Sequence, residues 1–457
     1  MVKHEPFRYR TAGQLLEKAA ALGIDLPFQE DISPLFTPFR IGSKTVPNRL
    51  IVQPMEGCDS EPDGSPGELT FRRYRRFAAG GSGMIWFEAV SVAQDGRSNP
   101  RQLMLNHSTL GGFKRLVEST RESAHREFGS SHEPFLVIQL THSGRFSKPD
   151  GVPTNRVACH NPYLDRDKSD LSVFTDAELT GILETLVEAS NLAYEAGFDA
   201  VDIKACHGYL VHELLGAHTR LDSIYGGSFE NRIRMLIEAV ERIHRGCHLR
   251  RGGSGAICQE PGEAVAVRLN ATDGIPYPYG FGVAHDKTTT VDLTEPKLLI
   301  RRLMDKGCSL LNVTAGIPAH SPQMVRPFNK PLSGASLPDE HPLQGVARLI
   351  YITAELQYEF PSLPMVGSGY SWLNRFFPNV AAAVIAQGKA MFIGLGRSSI
   401  AYPDAPRDLM RKGKLDLKKT CIACSRCSEL MRNQQYTGCA IRDREIYGRL
   451  YHINGCG

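Results

Sequence analysis

No apolar run in the 457 residues approaches the ~18 to 20 needed to cross a bilayer, so no membrane association is expected. The amino terminus, Met1-Val-Lys-His-Glu-Pro-Phe7, lacks the basic-then-apolar pattern of an export signal, which makes a cytoplasmic location the expectation and keeps the eleven cysteines reduced. Net charge is slight, +4 over the whole chain. The one dense basic run, Arg72-Arg73-Tyr-Arg75-Arg76, reads as a solvated helix face, and no nucleic-acid partner is expected. A dinucleotide fingerprint is missing too. Gly367-Ser-Gly369 and Gly394-Leu-Gly396 both fail at the third glycine of Gly-x-Gly-x-x-Gly, and no internal repeat is visible. Hydrophobic residues make up 42% and charged residues 22%, ordinary for a globular protein of one large α/β barrel or of two or three smaller domains.

What is present begins near the carboxyl end. Cys421-Ile-Ala-Cys424-Ser-Arg-Cys427 is followed after eleven residues by Cys439, a spacing that brings four thiolates to one metal centre. Three ligands from a tight loop and a fourth from a distance look more like a [4Fe–4S] cluster than the paired halves of a zinc ribbon, although a tetrahedral zinc would accept the same four. Cys456 reads as a tail thiol.

Upstream, short β-rich apolar runs alternate with helical patterns, the signature of a parallel sheet. Strands are expected at 49–53, 84–90, 135–140, 200–204, 265–269, 309–314, 365–367 and 391–395. The clearest helix covers 176–196, with Thr175 as N-cap, Gly197 just past its end and apolar residues at Leu179, Ile182, Leu183, Leu186, Val187 and Ala193. Others are expected at 232–244, 295–306 and 342–355, and a leading one at 12–22 packs outside the core. Eight strands with interposed helices predict a (β/α)8 TIM barrel, an open doubly wound sheet being the competing topology. The expected organisation is a helical extension over 1–31, a barrel over 32–403 and a small cysteine-ligated module over 404–457. The Gly-rich stretch 251–255 and the Pro/Gly/Tyr stretch 273–282 read as excursions from the barrel.

After the fourth expected strand stand Lys204-Ala-Cys-His207-Gly-Tyr209-Leu and Tyr225-Gly-Gly-Ser-Phe-Glu-Asn-Arg232. With these motifs the chain resembles the Old Yellow Enzyme class of flavin oxidoreductases, in the branch with 2,4-dienoyl-CoA reductase and trimethylamine dehydrogenase. The likeness runs from about 35 to 439, through Gln139-Leu-Thr-His-Ser-Gly-Arg145, Arg268-Leu, Gly367-Ser-Gly369 and Gly394-Leu-Gly-Arg397. It implies FMN in the barrel and a [4Fe–4S] cluster on Cys421, Cys424, Cys427 and Cys439. Gly367, Ser368, Gly369, Gly396 and Arg397 would cradle the phosphate. Gln139 and Arg268 would meet the pyrimidine edge, and Pro54, Met55, Glu56 and Ala89 would line the ring.

The implied activity is transfer of a hydride from the flavin to an activated C=C bond of an unsaturated carbonyl or acyl thioester. Tyr209 would donate the proton to the α-carbon and His207 would hydrogen-bond the carbonyl oxygen. Lys204 stands where many members have histidine; it would stabilise an enolate as a full cation or pair with a substrate carboxylate, unless it is tied to a carboxylate of the protein such as Asp202 or Glu213. His320 reads as a loop bystander. NAD(P)H, a separate reductase or a ferredoxin would supply electrons. The alternatives are an amine or C–H dehydrogenase passing electrons outward, an electron-transfer subunit without turnover of its own, and a flavin-only barrel with structural zinc.

Overall fold

The computed structural model describes residues 3–166, 168, 170–249, 264–286 and 288–453; the Gly-rich stretch 251–255 and Cys456 lie outside them. Eight parallel strands close into one barrel: β1 (Leu50–Val52), β2 (Met84–Ser91), β3 (Phe135–Thr141), β4 (Ala200–Ala205), β5 (Ala264–Asn270), β6 (Cys308–Thr314), β7 (Met365–Gly367) and β8 (Phe392–Leu395). Spatial order follows chain order, and β8 pairs with β1 to close the ring. This is a TIM barrel, its strands lying within a residue of the expected bounds at either end, and closure rules out the open doubly wound sheet. The strands are near-continuous apolar runs because both faces are covered. Trp86, Val137, Ala266 and Leu310 pack together inside the barrel, while Phe87, Leu136 and Val267 belong to the layer shared with the helices.

Around the strands run α1 (Ala12–Ala21), α2 (Glu68–Ala79), α3 (Leu110–Phe128), α4 (Asp176–Glu195), α5 (Phe229–Leu249), α6 (Thr294–Asp305), α7 (Pro342–Glu359), α8 (Phe377–Ala386), α9 (Ala405–Lys412) and α10 (Arg426–Arg432). Helix α4 starts where its sequence says it should. The Thr175 hydroxyl accepts from the Glu178 N–H at 3.2 Å and Glu178 Oε2 accepts from the Thr175 N–H at 2.7 Å, a reciprocal cap. At its other end Gly197 takes φ +97°, in the left-handed region that favours glycine. An antiparallel hairpin, Phe39–Ile41 with Lys44–Val46, packs on the strand starts through Phe39 against Phe392, so the carboxyl ends of the strands remain for chemistry.

The leading helix α1 does lie outside the barrel, burying Leu15 and Ala19 in a cluster with Leu35, Trp372 and Phe377. Near the other terminus, α9 packs back on the barrel: the Arg407 N–H donates to the Gly80 carbonyl and Arg411 pairs with Glu127 of α3. The cysteine-bearing segment follows, with a small core of Leu430, Ala440, Tyr447 and Tyr451. The basic run 72–76 corrects an expectation. Arg73 is buried between Asp59 and Glu88, and Arg72 and Arg76 both reach Asp443, at 2.7 and 2.6 Å. The run clamps the cysteine-bearing segment to the barrel and is not a free solvated face. No helix among the described residues is long and apolar enough to cross a membrane.

Candidate functional site

A cavity of about 360 Å³ opens at the carboxyl ends of the strands, within the size range of small-molecule sites. The turn after β1 brings Pro54, Met55 and Glu56 to its wall, β2 brings Ala89, β3 Gln139, β5 Arg268, and the loops after β7 and β8 bring Ser368, Gly369, Gly396 and Arg397. Lys204, His207 and Tyr209 line it from β4 and the loop beyond. Gly367 is the exception among the expected residues. It lies in β7 and does not reach the cavity; a Cβ there would sit 2.8 Å from the Tyr370 hydroxyl oxygen, so close packing accounts for this glycine. At Gly394 a Cβ would fall 1.9 Å from Gln53 Nε2, which itself bridges Asn312 and Ser368 under the cavity floor.

At one end the loop after β4 turns sharply, with His207 at φ +64° and Gly208 at φ +80°. His212 holds this turn: its Nδ1 accepts from the Gly208 N–H at 2.8 Å while its Nε2 lies 2.6 Å from Asp273. The Tyr209 hydroxyl donates to Glu56 Oε1 at 2.6 Å, and burial together with the Glu56 charge pushes the phenol well above its usual range. Burial, reinforced by the Arg268 and Lys204 cations, holds His207 well below the ordinary imidazole range, so it is neutral at pH 7. Lys204 is tied to neither Asp202 nor Glu213. Asp202 is engaged by Trp86, Gln139 and the Arg268 N–H, and Glu213 by Arg145. Instead the Lys204 ammonium lies 3.5 Å from Glu56 Oε1 and 3.1 Å from the centroid of the Tyr209 ring, and burial lowers its pKa against the pull of Glu56. His320 stands outside the cavity wall, edge-on to Tyr163.

The other end is cationic and has donors to spare. Arg268 makes no ion pair among the described residues; one N–H reaches the Pro54 carbonyl at 3.4 Å and Nε has no acceptor. Gln139 spends one amide N–H on Asp202 at 2.6 Å, leaving its carbonyl and second N–H for a ligand. Arg397 donates to the Pro327 carbonyl, and its Nη1 lacks a partner. Arg326 was not anticipated. It also lines the cavity with an unpartnered Nη1, and burial and the neighbouring Arg397 charge hold it below its ordinary value. Buried guanidinium N–H groups without acceptors are rare and costly, so the cavity is built to receive an anion such as a phosphate. The residues present therefore fit FMN. Arg326 sits in an irregular loop with no motif around it, so only its place in three dimensions reveals it.

Cys421, Cys424, Cys427 and Cys439 all line one small separate cavity. Among the described residues no three His, Cys, Asp or Glu side chains converge tightly enough to hold a single ion. The loop folds through left-handed residues Ala423 and Ser425, at φ +48° and +63°. Its shape is held from outside: Asn329 donates to the Ile422 carbonyl at 2.9 Å and Asn374 to the Cys421 carbonyl at 2.8 Å. Backbone N–H groups of Ala423 and Arg442 point at the Cys421 and Cys439 sulfurs, each at 3.4 Å. Arg397, Ile400 and Cys427 line both this cavity and the larger one, so the two share a wall.

Comparison with known proteins agrees with this architecture. The family model described as NADH:flavin oxidoreductase / NADH oxidase matches residues 34–251. An NADH oxidase of Thermoanaerobacter brockii is 27% identical over 403 residues, covering 86% of this chain and 52% of the relative. An NADPH dehydrogenase of Geobacillus sp. (strain WCH70) is 29% identical over 286 residues, 62% of this chain and 73% of the relative. The chain thus spans about half the length of the NADH oxidase that it matches. Among solved structures, 2-naphthoyl-CoA reductase in complex with 2-naphthoyl-CoA superposes with a TM-score of 0.70 at 19% identity, over 91% of this chain and 57% of that one. Histamine dehydrogenase from Rhizobium sp. 4-9 gives 0.66 at 21% identity, over 90% and 52%. At such identities these two likenesses speak for the fold.

Proposed function

We propose that this chain, whose residues 34–251 match the NADH:flavin oxidoreductase / NADH oxidase family model, is an FMN-dependent ene-reductase whose barrel adjoins a [4Fe–4S] cluster on Cys421, Cys424, Cys427 and Cys439. The carrying observation is that a single cavity joins Tyr209 and His207 to guanidinium groups of Arg268, Arg326 and Arg397 that each keep a buried nitrogen without a partner, with Cys427 in its wall. When bound, FMN supplies a hydride to carbon and the cluster supplies single electrons.

The remaining work falls to side chains. Arg397, Arg326 and the backbone at Ser368 to Gly369 hold the phosphate, and Arg268 places a fixed cation at the pyrimidine edge. Neutral His207 donates one N–H to the carbonyl oxygen of an unsaturated ketone or acyl thioester, where negative charge develops as the β-carbon is reduced. Tyr209, its pKa raised, stays protonated and gives its hydroxyl proton to the α-carbon. The shared wall of Arg397, Ile400 and Cys427 suits electron exchange with a ferredoxin-type partner or a reductase, while NAD(P)H is the proposed donor over the open cleft.

One feature favours the opposite direction. Tyr209 donates to a carboxylate and is therefore poised to pass a proton away from substrate, as oxidation of an amine requires. Both directions are tested by incubating the FMN-loaded protein anaerobically with 2-cyclohexenone or an enoyl thioester plus NADH, NADPH or dithionite, and separately with histamine and a dye acceptor. Ene-reduction should dominate, and Tyr209→Phe should lower it by roughly 10²- to 10⁴-fold while leaving flavin reduction by the donor intact. Amine oxidation without ene-reduction would reverse the assignment.

A further inference from the structure

Among the described residues six cationic side chains line the cavity, Lys148, Lys204, Arg268, Arg326, Arg397 and Arg432, against a single carboxylate, Glu56. Glu56 offsets Lys204 at 3.5 Å. A phosphate dianion on Arg397 and Arg326, and a reduced flavin ring at Arg268, would account for three more. Lys148 and Arg432 are left over. Neither side chain makes a hydrogen bond or an ion pair among the described residues. Cys427 also faces Arg326, but as part of the cysteine site, where Arg397 meets it too.

The two residues come from distant parts of the chain and meet at one rim. Lys148 lies in the excursion after β3, two residues beyond Phe146, whose ring centroid is 5.9 Å from that of Tyr209. Arg432 ends α10 in the cysteine-bearing segment. The two segments are tied together: the Gln434 amide donates to the Gly151 carbonyl at 3.1 Å, and the Gly151 N–H donates to the Lys148 carbonyl at 3.0 Å. Arg101 adds a second tie by donating to the Gln434 carbonyl at 2.6 Å. Behind this rim stands Arg326, on whose charge Arg397 and Arg432 both push, and no carboxylate among the described residues pairs with any of the three. A lone exposed arginine needs no partner, but like charges crowded at a cavity mouth are unfavourable until an anion joins them.

We propose, resting on the flavin-dependent reading above, that Lys148 and Arg432 form a second anion site at the mouth of the cavity, which takes a carboxylate or phosphate carried by the small molecule that exchanges hydride with the flavin. Such a ligand has two ends. Its reacting end enters toward Tyr209 and His207, and its negative group stops at the rim, with Phe146 and Met431 offering apolar surface to the part between. Two sources supply this chemistry: an enone that bears an acid group, and the phosphates of a nicotinamide donor. The cysteine-bearing segment thereby takes part in recognition as well, because it carries Arg432 to the cavity.

The test pairs ligands with and without the charge on FMN-loaded protein, at low and high salt. One pair is 4-(3-oxobut-1-enyl)benzoate and its methyl ester, followed as enones. The other is NADPH and 1-benzyl-1,4-dihydronicotinamide, which has no phosphate, followed by anaerobic bleaching of the flavin. Wild type should prefer the anionic member of at least one pair by about tenfold or more, and the preference should shrink as salt rises. Arg432→Gln and Lys148→Gln should each lower that ratio roughly threefold to tenfold, mainly through KM, the double variant should abolish it, and Arg432→Lys should keep most of it. A fall confined to the first pair assigns the anion to the substrate, and one confined to the second assigns it to the donor. Equilibrium titration with the saturated keto acid 4-(3-oxobutyl)benzoate and its ester reads the same preference without turnover. Ratios that neither substitution moves, or no preference for the anionic member of either pair, would overturn the site. If wild type reduces neither enone, the ene-reductase reading fails, and the donor pair and the titration still decide whether the rim binds an anion.

Discussion

Asp202 organises the cavity wall around Gln139 and Arg268 from inside the barrel. Its Oδ2 accepts from the Trp86 indole at 2.8 Å and from Gln139 at 2.6 Å, and its Oδ1 accepts from the Arg268 N–H at 2.6 Å. Asp202→Ala orphans three buried donors at about 1 to 3 kcal/mol each and should lower stability by roughly 3 to 5 kcal/mol in urea unfolding. Burial lifts its pKa to about 6 despite those donors. The native group then keeps its proton to about pH 6 and the unfolded one only to about 4. Its favourable contribution is therefore full below about pH 4 and declines by about 3 kcal/mol as pH rises to 6. Melting curves over that range should show the decline in wild type and its absence in Asp202→Asn. At this scale the sequence was informative where chemistry is local: the Lys204 to Leu210 motif, through the resemblance it carries, pointed to Tyr209 and His207, and both line the cavity. It was silent on the partner of both Tyr209 and Lys204, because Glu56 is 153 residues from Tyr209 in the chain and only the closing of the barrel brings them together.

The elements were legible wherever burial writes a period into the chain. Helix α4 carried its cap, its apolar stripe and its terminating glycine in the sequence, and the structure has all three. Thr175→Ala should cost about 1 kcal/mol of stability, with Thr175→Ser nearly neutral and neither changing the flavin site. Denaturant midpoints with unchanged slopes would verify this. The same logic failed for the basic run of α2. A period of 3.6 identifies which residues share a face, but it cannot say what will later cover that face; Asp443 arrives from the far end of the chain and takes Arg72 and Arg76. Gly367 was misplaced for a related reason, since a glycine demanded by the nearby Tyr370 hydroxyl has the same spelling as one that cradles a phosphate.

For the whole molecule, the consequential feature is the meeting of the two ends of the chain's chemistry. The hairpin at 39–46 seals the strand starts, leaving the opposite face open. Over that face folds the cysteine-bearing segment, held by Asp443 and by the Thr437 N–H, which donates to the Gly57 carbonyl at 2.7 Å, one residue from Glu56. Thr437, Gln434 and Cys427 thus become walls of the same cavity that Tyr209 and Arg268 line. Cysteine spacing led to the expectation of a metal centre, but nothing in it foretold that Cys427 and Arg397 would line two cavities at once. The measurement that bears most directly on this account is iron, sulfide, zinc and flavin quantitation on anaerobically purified protein. It predicts about four iron and four sulfide per FMN. Zinc without sulfide, or a barrel that retains no flavin, would contradict it.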